Sequence, residues 1–256
     1  MDASLHRIGR GQRVHAGLLW HELHSSAVRQ PVSVYLLDIE GTTTPIDFVA
    51  RVLFPYAAEH LSAYLEAHGD EPENLEALQV LAEERAAEPA LDAPTAPIDY
   101  LQFLIRVDRK SPALKSIQGR IWAQGYASGE LKGVVYPDVV AALRRWSEAG
   151  VPVYIYSSGS VLAQKLIFGH SDHGDLLPLI AGHFDTAVGA KVDARSYATI
   201  AEKIGVGPDQ ITFVSDLVRE LDAASAAGLG VRWSIRPGNA PAEADYPSIT
   251  SFDQLA

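Results

Sequence analysis

Residues 32–45 read VSVYLLDIEGTTTP, and this stretch decides the fold. Its first six residues form a mostly apolar, β-branched-rich run that fits a short strand buried on both faces, as in a parallel sheet. The run ends on two carboxylates, Asp38 and Glu40, followed by a glycine and three threonines. A helix cap or turn needs only one polar side chain, so a pair of acids at the end of a buried strand calls for a chemical reason.

The same form recurs at 151–156 (VPVYIY), 210–214 (QITFV) and 231–235 (VRWSI). Each run follows a helical stretch that ends in glycine: 138–149 before Gly150, 196–204 before Gly205 and 218–227 before Gly228. Strands alternating with helices in this way predict right-handed βαβ units, hence an α/β fold with a doubly wound, Rossmann-like parallel sheet. Residues 46–134 break the rhythm. Apolar residues there fall at helical spacing (Phe48, Val52, Tyr56; Leu75, Leu78, Leu81; Leu101, Leu104; Leu114, Ile117, Ile121) with no convincing strand among them. The expected organisation is therefore a core of 32–45 and 135–256, an inserted all-helical cap over 46–134, and an N-terminal extension over 1–31. That extension holds several histidines and Trp20, and a poorly ordered tail is a better reading of it than a metal-binding one.

With 256 residues, 47% of them hydrophobic, the chain is long enough for one large α/β domain carrying a smaller insert. The absence of cysteine removes disulfides, thiolate nucleophiles and Cys-based zinc sites, and fits a reducing compartment; a cytoplasmic location is the expectation. The formal charge of -11 argues against a nucleic-acid partner. No apolar run approaches the ~20 residues that span a bilayer, and residues 1–31 lack the order of a secretory signal, so no membrane partner is expected. Neither the P-loop GxxxxGK[ST] nor a GxGxxG turn is present, which disfavours nucleotide kinases and dinucleotide enzymes.

Ligands of open parallel sheets bind at the carboxyl ends of the strands. There the first strand offers Asp38 and Glu40; the second offers Ser157, Ser158, Gly159 and Ser160, small enough for backbone N–H groups to approach an oxyanion; the strand ending at Val214 offers Ser215 and Asp216. Lys191 precedes a helix between the last two. Taken singly, each has an ordinary explanation as a cap, turn or surface residue. Together, acids that would repel one another, a hydroxyl cluster and a lysine describe a site for a phosphate and a divalent cation, and Mg²⁺ suits a few carboxylate oxygens plus water.

LLDIEGTTTPIDFV (36–49), DRKSPALKSIQGRIWAQGYASGELKG with VYPDV (108–139), YIYSSGSVLAQKLIFGHSDHGDL (154–176) and FVSDLVRELDAASAAG (213–228), with Lys191, resemble the enolase-phosphatase E1 branch of the haloacid dehalogenase-like superfamily. The resemblance covers the chain from about residue 32 onward. It implies that Asp38 is the nucleophile and that Glu40 is the general acid and then the base. It implies that Ser157 and Ser158 bind phosphoryl oxygens, that Lys191 neutralises phosphate charge, and that Mg²⁺ is held by Asp38, Asp216 and the Glu40 carbonyl, with Glu220 behind them. The implied substrate is 2,3-diketo-5-methylthiopentyl 1-phosphate, enolised and dephosphorylated in methionine salvage by a monomeric enzyme. Mg²⁺ at the vicinal dicarbonyl would act as a Lewis acid, with Glu40 a candidate for the carbon proton. The resemblance places substrate selectivity in the helical insert, where Arg109, Lys110, Lys115, Gln118, Gly119 and Trp122 are the positions of interest. Two alternatives stay open: another Mg²⁺-dependent phosphatase or phosphomutase of the superfamily acting on a small sugar phosphate, and a degenerate binding protein.

Overall fold

The strand predicted at the start of the opening stretch is observed as β1 (Val34–Leu37), with all four residues buried. The structure is a computed structural model, and residues 34–109, 111–239 and 243–255 are described; the expected extension over 1–31 lies outside them, as does Lys110. The other predicted strands are observed as β2 (Val153–Tyr156), β4 (Ile211–Ser215) and β5 (Gly230–Ser234). Two more, β3 (Gly182–Phe184) and β6 (Ser248–Ile249), were not anticipated. They are the two edge strands, only three and two residues long, and β3 is only half buried, so neither carries an apolar run to read. All pairings are parallel and the order is β3-β2-β1-β4-β5-β6. This is the doubly wound order, with its switch point between β1 and β4.

Between β1 and β2 the described chain is helical: a five-residue π-helix (Val49–Leu53) runs directly into α1 (Phe54–His68), and α2 (Pro72–Ala87), α3 (Pro97–Arg106), α4 (Pro112–Ser128) and α5 (Pro137–Glu148) follow. Four successive helices begin on proline, whose fixed φ suits the first helical position and whose missing N–H is no loss there. Pro72 starts α2, so the connector from α1 is only Gly69–Glu71. Pro45 stands before the π-helix, its carbonyl accepting from Phe48 N at 3.0 Å. Beyond β2 come α6 (Val161–Gly169), α7 (Ala194–Ile204) and α8 (Val218–Ala226).

Alternate side chains of β1 enter opposite faces of the sheet, as the two-residue period requires. Val34 and Leu36 pack with Tyr197, Ile200 and Phe213 on one face. Tyr35, Leu37 and Ile39 join Trp146 and Phe252 on the other, and Tyr35 stacks on Trp146 with ring centroids 3.9 Å apart. The second core continues without a break into Phe48, Leu53, Leu61, Leu101, Leu104 and Trp122 of the helical stretch. The helices are thereby fixed over the carboxyl edge of the sheet. Among the described residues no helix is long and apolar enough to cross a membrane.

Candidate active site

The switch point brings the ends of β1 and β4 side by side, and the polar residues after each strand meet there. Asp38 directly follows β1, its N–H donating to Val214 O at 3.0 Å and its own carbonyl accepting from Thr43 Oγ1 at 2.9 Å. The turn is thus folded back on itself by its threonine, and Asp38 is only 4% exposed.

Lys191, on the loop before α7, reaches Asp38 Oδ1 at 2.5 Å and Glu220 Oε2 at 2.6 Å. Ser215 Oγ closes the set, donating to Glu220 Oε2 at 2.9 Å with Asp38 Oδ2 at 3.4 Å. Tyr197 OH anchors the Lys191 backbone by donating to its carbonyl at 2.7 Å, and the ammonium lies 5.8 Å from the Tyr156 ring and 5.9 Å from that of Phe213. Burial pulls the Lys191 ammonium down, but the two carboxylates more than offset it and the net shift is upward. Glu220 moves up, chiefly by burial and then by the neighbouring Asp38 charge.

Asp216, just beyond β4, is pushed up to about 7 by burial and by the Asp38 and Glu220 carboxylates. Two carboxylates share the one ammonium, so a third acid beside them lacks a cation. The donor set fits Mg²⁺, which takes oxygen ligands and relieves this repulsion. A close approach supports the fit: Gly41 sits at φ 67°, and a Cβ there would come within 2.5 Å of Asp216 Oδ2. The Asp216 carboxylate therefore packs against the peptide that follows Glu40, whose carbonyl would be the third donor. Among the described residues no trio of His, Asp or Glu side chains forms a cage by itself, and Mg²⁺ needs none where a main-chain carbonyl and water complete the shell. Gly41 is held in place by Asn239 Nδ2 and Ser234 Oγ, which donate to its carbonyl at 3.0 and 3.3 Å.

A cavity of about 490 Å³ lies next to this cluster, reached by Ile39 and Glu40, the two residues that follow Asp38. Glu40 and Ser157 to Ser160 form part of its wall, as do Leu53, Phe54, Leu104, Leu114 and Trp122 from the helices. Ser157 Oγ accepts from Gly159 N at 3.1 Å, which leaves its O–H as a donor, and Ser160 Oγ caps α6 by accepting from Ala163 N at 3.1 Å. Gln164, fully buried, donates from Nε2 to Gly159 O at 3.1 Å and Phe184 O at 2.7 Å, and its Oε1 accepts from His183 Nδ1 at 3.2 Å. That bond fixes the His183 tautomer, and burial with nearby Lys165 pushes the ring down to about 4.

Of the residues read from sequence, the structure joins Asp38, Lys191 and Glu220 by direct contact and sets Asp216 against the Gly41 turn. It places Glu40, Ser157 and Ser158 on the cavity wall. Gln118 and Trp122 also line the cavity, whereas Gly119 packs against Leu162. Arg109 lines it too, but pairs with Glu88. The reading missed Ser215 as a link between carboxylates, and it missed Gln164 and Asp185.

The comparisons agree with this geometry. The model of the haloacid dehalogenase-like hydrolases matches residues 32–228. An enolase-phosphatase E1 of Synechococcus elongatus is 50% identical over 88% of this chain and 99% of its own. The chain belongs to the enolase-phosphatase E1 family. A Populus trichocarpa protein named as a probable bifunctional methylthioribulose-1-phosphate dehydratase/enolase-phosphatase E1 is 46% identical over 86% of this chain and 46% of its own. The crystal structure of the UTR4 protein of Saccharomyces cerevisiae superposes with a TM-score of 0.73 at 36% identity, covering 88% of this chain and all of that one. This enolase-phosphatase E1 chain sets a charge cluster at the sheet edge beside a cavity walled in part by apolar helical residues.

Proposed function

We propose that this chain is a bifunctional enolase-phosphatase of methionine salvage, an acireductone synthase. It converts 2,3-diketo-5-methylthiopentyl 1-phosphate to 1,2-dihydroxy-3-keto-5-methylthiopentene and phosphate. One observation carries the reading: Asp38, held by Lys191 at 2.5 Å, adjoins a largely apolar cavity whose wall includes Glu40 and the Ser157–Ser158 turn. A phosphate at the serines and an apolar methylthio tail against Leu53, Leu104 and Trp122 match the two ends of that cavity.

In this mechanism Ser157 Oγ and the Ser158 backbone hold the phosphoryl oxygens, and Lys191, 2.5 Å from Asp38 Oδ1, holds the Asp38 carboxylate in line. Asp38 attacks phosphorus while Glu40 gives its proton to the departing enol oxygen, leaving an aspartyl-phosphate. Glu40, now a carboxylate, takes a proton from the water that attacks the phosphorus and frees Asp38. Asp38, Asp216 and the Glu40 carbonyl would hold Mg²⁺, which when bound supplies charge neutralisation at the phosphoryl group and Lewis acidity at the dicarbonyl. The helices of 46–134 act as the cap that selects substrate and excludes bulk water. The reading includes a cytoplasmic monomer.

The test offers purified protein the diketone phosphate and common sugar phosphates with Mg²⁺, following phosphate release and the ultraviolet absorbance of the enol. Turnover of the diketone phosphate with enol formation is expected. Turnover of sugar phosphates alone would sink the reading.

A further inference from the structure

The phosphoryl chemistry leaves one charged pair on the cavity wall without a role. Lys115 of α4 and Asp185 of the loop after β3 both line the cavity, with Nζ 3.5 Å from Oδ2. Two backbone donors fix Asp185: Ala187 N reaches Oδ1 at 2.9 Å, and Val161 N, the first residue of α6, reaches Oδ2 at 3.4 Å. The Lys115 ammonium therefore lies two polar contacts, through Asp185 Oδ2, from the backbone of Val161, the residue that follows the SSGS turn. It stands beside the phosphate cradle and outside it. The other cation on the described wall, Arg109, is engaged by Glu88, and Lys191 is engaged by Asp38 and Glu220.

The Lys115 side chain is 33% exposed and shares the cavity wall with Leu114, Trp122, Ala163 and Ile167, so its ammonium is partly withdrawn from water, which strengthens its field. With the phosphate at Ser157 and Ser158, the next polar atom along the substrate is the C2 carbonyl oxygen, two bonds beyond the carbon that must lose a proton. That oxygen becomes negative when the carbon acid ionises, and a preorganised donor at such an oxygen is the largest single aid a protein gives this kind of step.

We propose that Lys115 is the catalytic electrophile of the enolisation, and that Asp185 is the positioning residue that aims it; the proposal rests on the enolase-phosphatase reading. The C1–H bond breaks and its proton passes to the Glu40 carboxylate. The freed electron pair becomes the C1–C2 double bond, and the π pair of C2=O moves onto that oxygen, which takes a hydrogen bond from Lys115 Nζ. Glu40 is left protonated, the form it needs to give its proton to the ester oxygen in the phosphoryl transfer that follows. The C2 oxyanion takes its proton from water on release.

The experiment compares Mg²⁺-loaded full-length protein with Lys115→Met, Lys115→Arg and Asp185→Asn. It measures enol formation and deuterium uptake at C1 from the diketone phosphate, and phosphate release from a saturated alkyl phosphate of the same length. Lys115→Met is expected to slow enol formation and deuterium uptake by ~100-fold, the effect of deleting one oxyanion donor, with a far smaller loss on the saturated ester. Lys115→Arg recovers part of the loss, and Asp185→Asn shows the same split between substrates with a smaller loss. Equal losses on both substrates, together with weaker inhibition by inorganic phosphate, would make Lys115 a phosphate ligand and overturn the proposal. Enolisation at the wild-type rate in Lys115→Met would overturn it too. If the wild-type protein releases phosphate from the saturated ester but forms no enol from the diketone phosphate, the enolase-phosphatase reading itself fails.

Discussion

At the sheet edge Asp38, Lys191, Glu220 and Ser215 interlock through contacts of 2.5 to 3.4 Å, while across the cavity Leu53, Phe54, Leu104 and Trp122 present hydrocarbon. The first region is tied together because Asp38 and Glu220 both contact the one ammonium and Ser215 bridges them. The second is held by area: Leu53 and Leu104 belong to the same continuous core that holds Tyr35 and Trp146. Charge chemistry and substrate selection are therefore separable, and substitutions in the two walls have different signatures.

The largest effect is expected at Asp38. Asp38→Asn keeps the shape of the side chain but removes the nucleophile, and phosphate release should fall by at least ~10⁴-fold with the circular dichroism spectrum unchanged. Activity within tenfold of wild type would remove Asp38 from the mechanism. Next comes Lys191→Met, which leaves two buried carboxylates without their cation. Breaking such a group costs about 3–5 kcal/mol of stability, read by urea unfolding, and activity should be lost with it. An unfolding midpoint equal to wild type would show that the cluster is not held by charge.

On the opposite wall, Leu104→Ala should cost about 2–5 kcal/mol by opening a cavity in the helical core. Its kinetic signature differs: KM for the diketone phosphate rises more than kcat falls, because the substrate's apolar tail loses a contact while the sheet edge is untouched. A fall confined to kcat would contradict the division of labour between the walls.

The smallest effect concerns Asp216. Its carboxyl ionises at about 7 in the folded metal-free protein, against an ordinary value of 3.8 in the unfolded chain. Between those values the folded state holds the extra proton, so this group lowers metal-free stability as pH rises from about 4 to about 7. Mg²⁺ binding needs the ionised form, so the rise in melting temperature on adding Mg²⁺ should grow across that window. The increment should be larger at pH 8 than at pH 5.5, and Asp216→Asn should abolish the difference. An increment independent of pH would place the metal elsewhere.

The same contrast explains what the sequence made legible. Asp38, Glu40, Ser157, Ser158 and Asp216 stand out because each is polar and closes or follows an apolar run, and the alternation of strands and helices dictates that such ends converge; Lys191 was marked only by its place before a helix. The opposing wall is silent in the sequence because Leu53, Leu104 and Trp122 sit at helical spacing and look like any core residue. Trp122 does belong to the core as well, donating from Nε1 to Leu53 O at 2.8 Å. Asp185 and Gln164 were hidden for another reason. Both act through β3, a three-residue edge strand with no apolar pattern, so nothing local announces that His183, Phe184 and Asp185 border the SSGS turn. The opening pair of acids was readable as two jobs; which contacts separate them required Lys191 and Ser215, which are 153 and 177 residues from Asp38 along the chain.

The most direct measurement is rapid-quench peptide mass spectrometry during turnover of the diketone phosphate with Mg²⁺. The expected result is a phosphoryl adduct that appears within the first turnover on the peptide containing Asp38, decays as free phosphate accumulates, and is absent from Asp38→Asn. An adduct on another peptide, or steady phosphate release with none on the Asp38 peptide at any quench time, would contradict the assignment of the sheet edge as the seat of phosphoryl transfer.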